Sequence, residues 1–324
     1  MGAQVIVYGP SDALVADFQR VAPEGVEVGW VDSNLSLDEQ AELLQDAQVA
    51  IVGGAPVTVE VASRAPNLKL VQTVSAGTDT LDKTALGEMG IRVSNNGGGN
   101  AVAVAEHTIA LLVNTIRKMQ LQFNAVKAGE WAGDIRQAWF SQANEIEGKT
   151  VGIVGLGRIG SRVARRLQGW DCDIIYSDVV DPEPGIEEEL NLRRVSLDEL
   201  LQESDIITLH VPLGRPTFHM ISDREFDLMK PTVVFINACR GPVVDEAALI
   251  RALESGKIAQ AGLDVLEEEP TPVDNPLLKM DNVLVTPHLA SFTQESGEKS
   301  RTFAVYNAAR ILRGEDPESV VLPD

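Results

Sequence analysis

The stretch from Thr150 to Asp178 constrains this chain more than any other. A short apolar run, Thr150-Val151-Gly152-Ile153-Val154, leads into Gly155-Leu156-Gly157-Arg158-Ile159-Gly160. A helical pattern follows, with Ile159, Val163 and Leu167 on one face and Gly169 just past its end. A second apolar run, Ile174-Ile175-Tyr176, closes on Ser177-Asp178. Strand, glycine turn, helix, strand and acid in this order form a complete dinucleotide-binding unit. Gly155 permits the tight turn, Gly157 lets backbone amides approach a pyrophosphate, and Gly160 lets the helix pack on the strand. The anion then meets a helix N-terminus, where unpaired N–H groups and the helix dipole favour it. An ordinary Gly-rich turn has the same letters but lacks the two strands, helix and acid around them.

Asp178 stands at the end of the second strand, 23 residues after Gly155. A carboxylate there accepts hydrogen bonds from the adenosine ribose and repels a 2′-phosphate. Val179, Val180 and Asp181 follow, with no Arg or Lys to hold that phosphate, so NAD is expected over NADP.

With 324 residues the chain is long enough for two domains, and its apolar fraction of 44% is that of a globular protein. No run of 18 apolar residues occurs, so no membrane span is expected. Met1-Gly2-Ala3-Gln4-Val5-Ile6 lacks the basic start of a signal peptide, and Ile6 breaks the myristoylation pattern. Cys172 and Cys239 have neither metal nor redox spacing, so a reducing cytoplasm is expected and no metal. A net charge of −21 argues against nucleic acid and anionic membranes as partners. The same charge serves solubility, or marks a salt-adapted host.

The first hundred residues alternate strand-like runs (5–8, 26–31, 49–52, 68–74 and 91–94) with helical ones (12–21, 37–44, 57–64 and 82–89), a small parallel α/β layer. Residues 101–126 form one long Ala-rich apolar helical stretch, too apolar on several sides for a surface helix. Residues 129–147 are irregular, with Trp131 and Trp139 among polar residues. A second α/β unit runs to His288, with strands at 150–154, 174–177, 206–211, 233–238, 258–265 and 283–286. Its helices are expected at 158–168, 197–202, 223–229, 245–255 and 276–280. Ser196 with Glu199 and Ser222 with Glu225 have capping-box spacing. A last helical stretch, 294–313, is long enough to return to the first domain.

Ligands of open parallel sheets bind at the carboxyl ends of the strands, and three polar sites fall there. Arg240 follows Phe235-Ile236-Asn237-Ala238-Cys239, and Glu267-Glu268-Glu269 follows Gly262-Leu263-Asp264-Val265-Leu266. His288 follows Leu284-Val285-Thr286-Pro287. Arg suits bidentate capture of a carboxylate. His moves a proton near neutral pH, and a bonded Glu orients it.

These motifs resemble the D-isomer-specific 2-hydroxyacid dehydrogenases over nearly the whole chain. Ser75-Ala76-Gly77-Thr78-Asp79 is similar to their carboxylate-binding loop, and Asn95–Asn100 with Val104-Ala105-Glu106 to their entry into the interdomain helix. The resemblance implies a flavodoxin-like substrate domain (1–100 plus 289–324) into which a Rossmann NAD domain (101–288, interdomain helix 101–126) is inserted. It implies dimerisation through the nucleotide domains. By resemblance Arg240 binds substrate, Glu269 rather than Glu267 or Glu268 supports the histidine, and His288 is the acid/base. Ser75, Ala76 and Gly77 meet the substrate carboxylate between the domains. The cofactor would be lined by Gly155, Gly157, Arg158, Ile159, Gly160, Asp178, His210, Val211, Pro212, Ala238, Cys239, Asp264 and His288, with Asp264 meeting the nicotinamide carboxamide.

Cys239 before Arg240, and Leu289-Ala290-Ser291-Phe292 after His288, depart from the family's usual residues. Of the other histidines, His107 reads as structural, His210 as lining the cofactor cleft and His219 as loop packing. Trp139 suits either surface packing or an arm into a partner's site. The absence of an Arg or Lys cluster in 52–57 and 75–80 favours glyoxylate or hydroxypyruvate over a phosphorylated substrate, unless Arg136 supplies the charge. The alternatives are a 3-phosphoglycerate- or sulfolactate-type dehydrogenase, a formate- or phosphonate-oxidising enzyme, and an NAD-sensing co-repressor-like binding protein. With the sequence running to Asp324, the regulatory domain of many phosphoglycerate dehydrogenases is not expected.

Overall fold

The structure, a computed structural model, describes residues 3–133 and 143–322. Trp139 and Arg136 lie outside the described residues. The chain divides into two compact units, Met1–Asn100 with Phe292–Asp324, and Ala101–Ser291.

The first unit is built on five parallel strands: β1 (Val5–Gly9), β2 (Val28–Asp32), β3 (Val49–Val52), β4 (Leu70–Thr73) and β5 (Arg92–Ser94). Their order, β2-β1-β3-β4-β5, is that of the flavodoxin-like doubly wound sheet. β1 is buried along its whole length, which explains its unbroken apolar run. On one face the helix Gln294–Leu312 sets Ala304, Val305, Ala308 and Ile311 against Val5, Val7, Ile51 and Leu70. On the other face Ile6, Tyr8 and Val71 pack with Val61 and Leu86. Asn307 Nδ2 donates to Gln72 Oε1 at 2.7 Å, a buried bond that fixes the helix on β4.

Among the described residues the second unit has seven parallel strands: β6 (Thr150–Val154), β7 (Asp173–Ser177), β8 (Leu192–Arg194), β9 (Ile206–Leu209), β10 (Val234–Asn237), β11 (Gln260–Leu263) and β12 (Val283–Val285). They lie in the order β12-β11-β10-β9-β6-β7-β8. The winding reverses between β6 and β9, the Rossmann switch point. Val154 is level with Ser177 on one side and Leu209 on the other, so three strand ends meet there.

Four features depart from expectation. The stretch 101–126 is not one helix but two, Ala101–Ile116 and Met119–Lys127. Between them Lys118 is left-handed (φ 54), a conformation uncommon for Lys, and its ammonium reaches the Asp281 carbonyl at 3.4 Å. The side chain is buried, so a tertiary site sets this break, and apolar spacing carries no trace of it. β8, and the short helix Ile186–Glu189 before it, were not expected; of the three β8 residues only Leu192 is buried. Residues Pro276–Lys279 form a 3₁₀ turn rather than an α-helix.

At Ser196 the capping box is complete: its Oγ accepts from the Glu199 N–H, and Glu199 accepts from the Ser196 N–H. The capping box at Ser222 is present too, its N–H donating to Glu225 Oε2 at 3.1 Å, and its hydroxyl also donates to Asp245 Oδ2 at 2.9 Å.

Candidate active site

The glycine turn begins where β6 ends. Gly155 is left-handed (φ 93), and a Cβ there would lie 2.8 Å from the His210 carbonyl. A Cβ on Gly160, the first residue of the helix Gly160–Leu167, would lie 2.0 Å from the Gly155 carbonyl. Around the Cβ position of Gly157 nothing stands within 4 Å. The turn is therefore closed by backbone at its two ends and open in the middle, at a helix start whose first N–H groups have no intrahelical acceptor. That cradle fits a pyrophosphate. Ile159 packs into the core beneath, while Arg158 is exposed and its carbonyl accepts from Arg162 at 2.6 Å.

Asp178 sits just past β7. Its Oδ2 accepts from the Leu156 N–H at 2.7 Å and its Oδ1 from the Val180 N–H at 2.9 Å. Each carboxylate oxygen keeps a second lone pair for a ribose hydroxyl. The absence of a cation here holds for the residues next in sequence but not in space. Arg194, at the end of β8, donates to the Asp178 carbonyl at 2.9 Å and to Asp181 Oδ1 at 2.7 Å. It was missed because β8 was missed.

His210 follows β9, with Val211 and the exposed Pro212 beyond it. Its Nε2 lies 3.0 Å from Thr208 Oγ1, and its Nδ1 is buried with no partner among the described residues. Burial pushes this imidazole down to about 3. At the end of β10, Ala238 and Cys239 are buried, and burial pushes the Cys239 thiol up to about 11, so it is an inert packing thiol.

Arg240 comes next, half-buried, with Nη1 donating to the Cys239 carbonyl at 2.7 Å. A Cβ on Gly241 would lie 1.8 Å from the Leu266 carbonyl, so the loops after β10 and β11 touch through backbone. The β11 loop carries Glu269, whose Oε1 accepts from the Leu266 N–H at 3.0 Å. Its Oε2 stands 2.6 Å from His288 Nδ1. With Nδ1 so held, Nε2 is the nitrogen left to exchange a proton. His288 is itself left-handed (φ 54), a strained backbone fixed by its N–H bond to the Asp264 carbonyl at 2.7 Å.

Asp264 explains how this loop is held. Its carboxylate, fully buried, accepts from Thr286 Oγ1 at 2.7 Å, the Leu289 N–H at 3.1 Å and the Ala290 N–H at 2.9 Å. Burial pushes its pKa up, but hydrogen bonds from His107, Thr286 and Ala290 outweigh this and hold it below the usual range. The side chain thus brackets His288 on both sides in sequence. His107 completes the group from the helix Ala101–Ile116, with Nε2 3.1 Å from Thr286 Oγ1 and 3.4 Å from Asp264 Oδ1. No sequence signal separated this histidine from a core one.

His219 is more than loop packing: it stacks on Phe218 with ring centroids 4.0 Å apart and meets Glu267 Oε1 at 2.8 Å. Ser75, Ala76 and Gly77 belong to the first unit, past β4, where Ser75 Oγ donates to the Gly77 carbonyl at 2.8 Å. Arg240, Glu269 and His288 belong to the second. Among the described residues no helix is long and apolar enough to cross a membrane.

Residues 109–290 match the family model described as D-isomer specific 2-hydroxyacid dehydrogenase, NAD binding domain. Over 268 residues, 82% of this chain and 78% of the relative, the sequence is 40% identical to a glyoxylate reductase of Thermofilum pendens. It is 39% identical to a glyoxylate/hydroxypyruvate reductase B of Yersinia pestis over 89% of both chains. The crystal structure of a glyoxylate reductase from Paecilomyes thermophila superposes with a TM-score of 0.86, at 28% identity and 99% coverage of each chain.

Proposed function

Because the chain belongs to the D-isomer-specific 2-hydroxyacid dehydrogenases, we propose that it reduces glyoxylate or hydroxypyruvate to the D-hydroxy acid with NADH. It is an oxidoreductase of the CH–OH group of small 2-hydroxy acids and uses a nicotinamide cofactor, which supplies or takes the hydride when bound. The observation that carries the proposal is the 2.6 Å contact between Glu269 Oε2 and His288 Nδ1 beyond the ends of β11 and β12.

In this reading the amides of Gly157–Gly160 hold the pyrophosphate and Asp178 the adenosine ribose. His210, Val211, Pro212, Ala238 and Cys239 line the same strand ends. Arg240 captures the substrate carboxylate and polarises the keto oxygen. His288 Nε2 gives its proton to the developing alkoxide, and the Glu269 carboxylate stabilises the ring while it is charged. Asp264 acts by holding the loop that carries His288, whatever it adds at the carboxamide. Oxidation reverses each transfer. Glyoxylate and hydroxypyruvate rank first because the two sequence relatives named above carry those activities.

We further propose a homodimer through the second unit, supported by the exposed Phe123, Val126 and Trp131. A cytoplasmic setting suits the free thiols Cys172 and Cys239.

The test is NADH consumption against glyoxylate, hydroxypyruvate, phenylpyruvate and 3-phosphohydroxypyruvate, with His288→Ala beside the wild type. His288→Ala should lose turnover by roughly 10²–10⁴-fold while NADH still quenches the protein's fluorescence. Full turnover in that variant would remove His288 from the mechanism. A preference for the phosphorylated acid would replace the substrate assignment. Light scattering on a sizing column reads the dimer.

A further inference from the structure

We propose that Arg194 is a latent ligand for a 2′-phosphate, restrained by Asp181, so that Asp178 and Asp181 together, rather than Asp178 alone, set the preference for NAD(H). The proposal rests on the reading of Asp178 as the ribose carboxylate and extends it to two residues.

Arg194 is level with Tyr176 in the register of β7 and β8, so its guanidinium emerges beside the end of β7. It is placed there by two bonds of different kinds. Nη2 donates to the main-chain carbonyl of Asp178 at 2.9 Å, which ties the cation to the rim of the ribose site whatever its counter-ion does. Nη1 donates to Asp181 Oδ1 at 2.7 Å. The Asp181 side chain is 92% exposed and that of Arg194 38% exposed, so this is an open ion pair of the weakly held kind.

NADP(H) differs from NAD(H) by one phosphate on the ribose 2′ oxygen, and Arg is the side chain best matched to a phosphate. With Asp178 and Asp181 both charged, the two carboxylates repel that phosphate and the second occupies the Arg fork. With both neutralised, the same fork is left beside the 2′ position, already anchored on Asp178.

The experiment is calorimetric titration of the ligand-free protein with NADH, NADPH, 5′-ADP and 2′,5′-ADP at low salt, with no turnover involved. Wild type should bind NADH and 5′-ADP more tightly than their 2′-phosphorylated counterparts. Asp178→Ser/Asp181→Asn should bind NADPH and 2′,5′-ADP at least tenfold more tightly than Asp178→Ser alone. Adding Arg194→Gln should reverse that gain at least tenfold while NADH binding persists. If the triple variant binds NADPH as tightly as the double, Arg194 is not a phosphate ligand and the proposal falls. Should loss of Asp178 unfold the turn it braces, the same comparison is made with Asp181→Asn against Asp181→Asn/Arg194→Gln. Asp181 is exposed, so its change leaves the fold intact. An NADPH-to-NADH affinity ratio unmoved between those two overturns the proposal equally. Wild-type protein that binds neither nucleotide would instead refute the cofactor site itself.

Discussion

Two histidines past strand ends of the second sheet, His210 after β9 and His288 after β12, sit in opposite surroundings. His288 is exposed and bonded to a carboxylate, whereas the Nδ1 of His210 is buried with no partner among the described residues. His210 should therefore leave a mark on stability. Its folded-state pKa of about 3 lies below the value near 6.5 of an unfolded histidine, so the unfolded chain takes up the proton first as pH falls. The contribution is complete above pH 6.5 and is lost progressively on the way down to about pH 3. At pH 5 it should have cost the native state up to about 2 kcal/mol. Urea unfolding at pH 7.5 and pH 5 should show that loss in wild type, and His210→Gln should remove most of it. An equal loss in both proteins would refute the assignment. At this scale Arg240, Glu269 and His288 were legible because chemically distinctive residues follow three apolar runs. His107 and Arg194 were not, because each acts through residues far away in sequence, Asp264 and Asp178.

Elements are placed here by backbone approach. The glycine turn makes two contrasting predictions. Gly160→Ala sets a methyl 2.0 Å from the Gly155 carbonyl, so the helix must lift off β6. A drop in stability of about 2–3 kcal/mol and a loss of nucleotide binding are expected. Gly157→Ala sets its methyl in open space, so the melting temperature should change little. The same methyl occupies the approach to the pyrophosphate, and the Kd for NADH should rise at least tenfold. Calorimetry and NADH titration on both variants check this, and a stable Gly160→Ala that still binds NADH would disprove the packing argument. The core strands of both sheets were legible because two-sided burial demands continuous apolar runs. β8 was not, since an edge strand of three residues with one buried side chain leaves no periodicity to read. The break at Lys118 is invisible for a related reason: nothing in Arg117-Lys118-Met119 stops a helix until Asp281 offers its carbonyl.

Over the molecule as a whole the dominant quantity is charge. At −21 the folded chain repels itself, and salt shortens the reach of that repulsion from about 30 Å at 0.01 M to about 3 Å at 1 M. If the acidity is a salt adaptation, the melting temperature should climb by several degrees across that range of NaCl. A flat or falling curve in scanning calorimetry would leave solubility as its purpose. Sequence by itself determined that two parallel α/β units are present, that one carries the dinucleotide cradle, and that Arg, Glu and His stand at strand ends. Those features are local, because a strand, a turn and a cap each depend on residues within one short segment. Only the tertiary structure decided that Asp264 grips both flanks of His288 and that Arg194 stands at the Asp178 rim. Each of these is a bond or contact between segments joined by loop closure, and side-chain geometry at such a distance is written in no local pattern.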